Sequence, residues 1–248
     1  MQVGAVYRYD NIATISGTQI DAYVTVTNIV NASIGNIDND APLSYAPPTN
    51  TTTGQPTSAV DPFAPEIATT AAGGHVDFKF NFKDPNGNNL TLNNFAANAF
   101  DIDGSTTNPI YQEFDEFGGF QSYTVGSPSE LAISQGVINT DQIRFQGTSA
   151  YNGLIINDTG RVQANFNGVT TLTMSFGANA STQGNFRLYA SLFTAISFTN
   201  PVTIVAPTVN FLTTTNNTPT ITGTLGGETA LGVGETFKVT FQSVDYTT

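Results

Sequence analysis

The chain has 248 residues, 39% of them apolar and 11% aromatic, with 18 Phe and 9 Tyr, enough to fill a core without covalent staples. Lys and Arg total 7 against 19 Asp and Glu, a net charge of −12, which argues against nucleic acid or an anionic membrane surface as a partner. The lack of Cys excludes disulfides, thiolate catalysis and zinc–thiolate sites.

The charge is unevenly placed. Residues 1–143 hold 15 acids and three bases (Arg8, Lys79 and Lys83), whereas the remainder holds four of each. Between Asp84 and Ile143 there is neither Lys nor Arg. Solubility is the plainer account of such a segment, but it also suits divalent cations, which hard oxygen ligands hold well. No apolar run approaches the ~18 residues of a membrane span. Met1 followed directly by "QVGAVYRYD" reads as the start of a segment excised from a longer chain.

In chain order, the predicted elements are strands. "QIDAYVTVTNI" puts Ile20, Ala22, Val24 and Val26 on one face, with Asp21 where an unpaired carboxylate would be costly. "GNIDNDAP" offers Asp38 and Asp40, two apart, at the mouth of a Pro-rich stretch over 39–66 with no apolar period. A loop that long inside a compact domain is usually functional or disordered. "HVDFKFNF" points Val76, Phe78, Phe80 and Phe82 inward, and His75, just before it, reads as a surface residue. "KDPNGNN" is a hairpin turn. Its Asp84, Asn86 and Asn88 imitate a calcium loop, but the glycine comes two places early and no bidentate Glu follows.

In "AFDIDGSTTN", Asp101 and Asp103 would share one face of an extended chain while Phe100 and Ile102 enter a core. "IYQEFDEF" then places Tyr111, Glu113 and Asp115 on one face, and Gly118-Gly119 suggests a bulge. Further alternation follows in "VQANF", "TLTMSF" and "NFRLYASLF", the last with Phe186, Leu188, Ala190 and Leu192 on one face. The pattern predicts an all-β, antiparallel β-sandwich with long loops. Composition changes near 199–209, which divides the chain into a sandwich over 1–200 and a partial β segment over 201–248.

Three acidic clusters in a base-poor region point to at least one bound Ca²⁺. Catalysis is not expected: there is no GxSxG, P-loop or HExxH, and no Trp platform for a sugar-processing cleft.

The ordered series "VYRYDNIA", "DAYVTVTNIVNASIGNIDND", "VDFKFNF", "LTLNNFAANAFDIDG", "EFDEFGGFQSYTV" and "NGLIINDTGRVQANFNGVTTLTMSFG" resembles the calcium-dependent peptide-binding domain of giant RTX-type bacterial adhesins, over residues 3–199. The tail from Ala206 is similar to the opening of the Ig-like extender repeats of the same adhesins. This resemblance implies a non-enzymatic module, displayed outside the bacterial cell, that captures peptide or protein C-termini on a host or neighbouring cell. One calcium would be shared between protein acids and the terminal carboxylate. Asp101 and Asp103 are implied as metal ligands with Glu113 beside them, then Asp38 with Asp40, and Asp21 for a structural ion. Tyr111, Tyr45 and Tyr151 are candidate ligand contacts, though each reads more readily as a surface or half-buried tyrosine. The module would act as a monomer within a longer chain. "STTNPIYQ", between Gly104 and Glu113, departs from the more charged run of the family, which bears on ligand preference. A calcium-dependent carbohydrate-binding module and a structural extender are the alternatives.

Overall fold

The computed structural model describes residues 1–39, 62–105, 111–151, 156–196 and 198–205, with the backbone of four short strands beyond. In chain order the strands are β1 (Val6–Ile15), β2 (Thr18–Val30), β3 (Ala32–Ile34), β4 (Glu66–Thr69), β5 (Gly74–Lys83), β6 (Phe95–Phe100), β7 (Gly104–Ser105) and β8 (Tyr111–Phe117). There follow β9 (Ser122–Gly126), β10 (Leu131–Gln135), β11 (Ile143–Gly147), β12 (Val162–Phe166), β13 (Thr171–Ala178), β14 (Arg187–Leu188), β15 (Ala190–Leu192) and β16 (Pro201–Val205). The chain divides into two compact units, Met1–Thr203 and Ile204–Thr248. In the second, β17 (Thr208–Val209) pairs with β18 (Gly223–Thr224), and β19 (Lys238–Phe241) with β20 (Val244–Thr247), all antiparallel. No helix long and apolar enough to cross a membrane occurs among the described residues.

The larger sheet runs β1-β2-β5-β13-β8-β11-β10, with β7 on β8. The second runs β15-β6-β12-β9-β16, and β14-β4-β3 form a third. Alternation explains why they stack. On β5, Val76, Phe78, Phe80 and Phe82 are buried, and antiparallel register sets Val24 and Leu172 beside Phe80, Val26 and Met174 beside Phe78. The facing sheet supplies Phe95, Ala97 and Ala99 of β6 and Val162, Ala164 and Phe166 of β12. Rings meet across the gap, Phe82 to Phe95 at 4.9 Å, while Phe193 stacks on Phe95 at 5.8 Å and lies 5.1 Å from Phe80. Phe63 adds edge-on contacts to Phe78 and Phe80. The described unit is thus all-β and antiparallel, with an aromatic core between two layers.

Four expectations need revision. "NFRLYASLF" is not one strand: β14 joins the third sheet, β15 the second, and Phe186 is 47% exposed. The chain crosses between layers there, turning the Tyr189 ring inward so that its hydroxyl donates to Gly177 O at 2.9 Å. Gly118-Gly119 belongs to an irregular connection that carries the chain from one sheet to the other, with Gly119 at φ 79°. His75 is buried within β5, its Nδ1 2.7 Å from Gly73 O. Asp101 has φ 58°, and β6 ends at Phe100, so simple alternation does not relate Asp101 to Asp103. The turn at Asp84 is as expected, its Oδ1 accepting the amides of Asn86 and Asn88.

Phe80→Ala should cost about 3–5 kcal/mol. In urea this reads as a lower midpoint with an unchanged slope.

Candidate functional site

Several acids of the negative segment have local partners. Asp21 follows Ile20 in the buried part of β2, where the β1–β2 register shifts between Tyr9 and Ala13. The bulge brings the Asn11 amide (2.9 Å), Gln19 Nε2 (2.9 Å) and the Arg8 guanidinium (3.0 Å) to its oxygens. Burial works to raise its pKa, but these donors hold it below the ordinary value. On the outer face of β8, Glu116 is fully buried. It receives Arg144 Nε at 2.5 Å from β11 and the amides of Val137 and Ile138. Arg144 also lies 3.6 Å over the Phe114 ring. The first base after the base-free interval thus folds back onto one of the acids within it. Asp38 accepts the Ala64 amide at 2.9 Å, which holds together the two ends of the long segment.

The inner face of β8 is different. Glu113 is 2% exposed and Asp115 1%. Asp115 is paired in register with Phe145 on one side and Phe176 on the other, both fully buried. Its Oδ1 is buried with no hydrogen-bond partner. Glu113 accepts the Tyr111 hydroxyl at 3.0 Å and the Asp103 amide at 3.2 Å, and its own amide donates to Asp103 O at 2.7 Å. Burial, then repulsion from Asp103, pushes Glu113 well above the carboxylate range; burial alone does so for Asp115. Tyr111 and Tyr189 are likewise pushed up by burial and by the Glu113 charge. The nearby base is Arg187, exposed, with its guanidinium 4.7 Å over the Tyr111 ring. It lowers Asp103 and Tyr111 through its field, but among the described residues it forms no ion pair.

Asp103 joins this chamber to an open cleft. Burial raises its pKa, and its Oδ1 accepts the Tyr151 amide at 2.7 Å. The cleft, about 450 Å³, is lined by Gly104, Ser105, Glu130, Thr148, Ser149, Ala150 and Tyr151. Close backbone contact builds it, since a Cβ on Gly104 would overlap the Gly147 carbonyl. Glu130 Oε2 accepts the hydroxyls of Tyr151 (2.6 Å) and Thr159 (2.7 Å), which hold Glu130 below its ordinary pKa. Burial and that carboxylate push the Tyr151 hydroxyl up to about 12.

The structure therefore gathers Asp103, Glu113, Tyr111 and Tyr151 around one end of β8. Asp21 is elsewhere: it pairs with Lys83, whereas Glu113 aligns through Ala178 with Gly74, nine residues along β5 and roughly 30 Å away at strand rise. Asp101 is buried. Asp40 and Tyr45 lie outside the described residues. Asp115, Tyr189, Arg187 and Glu130 were missed as site residues. Only Asp115 had a signal, its alternation with Glu113. As donors, the chamber acids are hard oxygens in excess of local positive charge, with one oxygen orphaned, which suits calcium. No three acidic or histidine side chains among the described residues already form a metal-binding group, so further oxygens would have to complete a shell.

No protein-family model and no curated protein matches the chain. Among solved structures it is similar to the N-terminal domain of the Streptococcus gordonii adhesin Sgo0707, with TM-score 0.46 and 13% identity over 77% of this chain and 50% of that one. It is also similar to the glucan binding protein C of Streptococcus mutans, with TM-score 0.37 and 10% identity over 78% and 61%. The chain spans about half the length of the first and 61% of the second.

Raised carboxylate pKa values destabilise the ionised form. Between about pH 5 and 8, where Asp21 and Glu130 are already ionised, the metal-free protein should lose stability as pH rises from the unfolded values near 4 toward the folded values of Glu113 and Asp115. Melting curves in chelator should fall with pH across this window, and millimolar calcium should reverse the fall.

Proposed function

We propose that Met1–Thr203 is a non-enzymatic ligand-binding module of a bacterial cell-surface adhesin that engages its partner through calcium. The observation that carries this reading is the pair of buried carboxylates, Glu113 and Asp115, with no Lys or Arg in ion-pair range among the described residues. An isolated buried carboxylate takes a proton or a cation, and extracellular calcium is present at concentrations that weak protein sites use.

Asp103, Glu113 and Asp115 would hold the ion, with Asp101 the further candidate that the resemblance supplies. Bound calcium supplies a positive charge that can accept a peptide's terminal carboxylate. Tyr111 fixes Glu113 by its hydroxyl, and Asp103 links the chamber to the cleft through the Tyr151 amide. In this reading Ser105, Thr148 and Ser149 meet the ligand's polar groups. The partner is then a peptide or protein C-terminus on a host or neighbouring cell.

One observation favours a carbohydrate ligand instead: the cleft lining offers the hydroxyls of Ser105, Thr148, Ser149 and Tyr151. Paired peptides with free and amidated C-termini separate the two readings. In millimolar calcium the free form should bind and the amidated form should not, with all binding lost in chelator. Glu113→Gln should weaken the free peptide by at least about tenfold. Binding that ignores the terminal carboxylate, or that survives chelator, would sink the proposal.

A further inference from the structure

We propose that the cleft at Glu130 and Tyr151 takes a primary ammonium group, such as a lysine side chain of the bound partner. The inference rests on the cleft being the ligand site, and it is independent of calcium.

Glu130 is the acidic residue among the described residues that line the cleft, and these include no Lys, Arg or His. No ion pair engages Glu130 among the described residues. The carboxylate is firmly placed: its backbone amide donates to Thr159 O and its carbonyl accepts the Thr148 amide and hydroxyl. The hydroxyls of Tyr151 and Thr159 both donate to Oε2, and the Ser149 hydroxyl adds to the stabilisation of the carboxylate. These donors stabilise the charged form, so the group in the cleft is an anion.

Tyr151 is fixed as well. Its amide is held by Asp103 Oδ1 and its hydroxyl by Glu130, while Gly160 lies so near the ring that an added Cβ would overlap the hydroxyl. A fixed carboxylate, a fixed aromatic ring and the hydroxyls of Ser105, Thr148 and Ser149 meet the needs of an ammonium: a counter-charge, a cation–π face and acceptors for its N–H groups. Charge selects among rival ligands. An anion would be repelled by Glu130 and by Asp103 behind it. A neutral sugar would leave the carboxylate unbalanced in a chain of net charge −12. Calcium wants six to eight oxygens, and Glu130 is the one carboxylate among the described lining residues.

The test uses lysine blocked at both ends as Nα-acetyl-lysine N-methylamide, beside the same molecule acetylated on Nε. Neither carries a carboxylate, and the titrations are run in chelator, so the outcome is separate from that of the calcium proposal. Backbone amide resonances of Thr148, Ser149 and Tyr151 are followed by NMR. The charged probe should give saturable shifts in the roughly millimolar range, and the Nε-acetylated probe should bind at least about tenfold more weakly. Glu130→Gln, which keeps an oxygen to accept from Tyr151 and Thr159, should abolish the difference between probes, and Glu130→Asp should retain part of it. Absence of shifts in the wild type, equal response to the two probes, or an undiminished response in Glu130→Gln would each overturn the inference.

Discussion

A carboxylate placed among aromatic rings has to be neutralised, and much of this sandwich is organised around how that is done. The outer face of β8 solves it with Arg144 and two loop amides on Glu116. The β1–β2 bulge solves it with Arg8, an amide and Gln19 on Asp21. Arg161, fully buried, ties Asp158 to Asn98 and Ile196 O and stacks on Phe198, joining the strand β12 to the segment beyond β15. In these three places a buried charge fixes the path of a loop or an irregular strand. Breaking such a pair leaves an uncompensated ion and is strongly destabilising.

The inner face of β8 carries the same kind of charge without the same kind of answer. Tyr111 and the Asp103 amide satisfy part of Glu113, while Asp115 sits between Phe145 and Phe176 with an orphaned oxygen. This imbalance lies at the end of the strand where the backbone of Asp103 and Gly104 opens into the cleft, so charge and access coincide. A rigid two-layer core behind the site keeps its groups in place, which lowers the ordering cost of binding. Glu130 contrasts with Asp115: a carboxylate supplied with hydroxyl donors is held below its ordinary pKa, and one supplied with rings is pushed above it.

The layers were legible from alternation. Period-2 patterns in "QIDAYVTVTNI", "HVDFKFNF" and "VQANF" mark the residues that fill the core, because register and burial share that period. Legibility ended where the chain changes layer or leaves extended geometry. "NFRLYASLF" alternates evenly yet contributes to two sheets, and the φ of 58° at Asp101 breaks a face assignment that assumed an extended chain. Charge balance was also hidden, since Arg8 and Arg144 reach their acids only through tertiary pairing. Glu113 and Asp115 could be placed on one face from sequence. That this face is the core, and that Glu130 meets Tyr151 across 21 residues, required the fold.

The central claim is that the inner face of β8 takes up a cation. Calorimetric titration of the metal-free protein with calcium up to millimolar concentration, beside Asp115→Asn, tests it most directly. A saturable site in the wild type, weakened or lost in Asp115→Asn, is the predicted result. Absence of a saturable site, or identical titrations for the two proteins, would mean that the chamber is neutralised by protons and that calcium plays no part at β8.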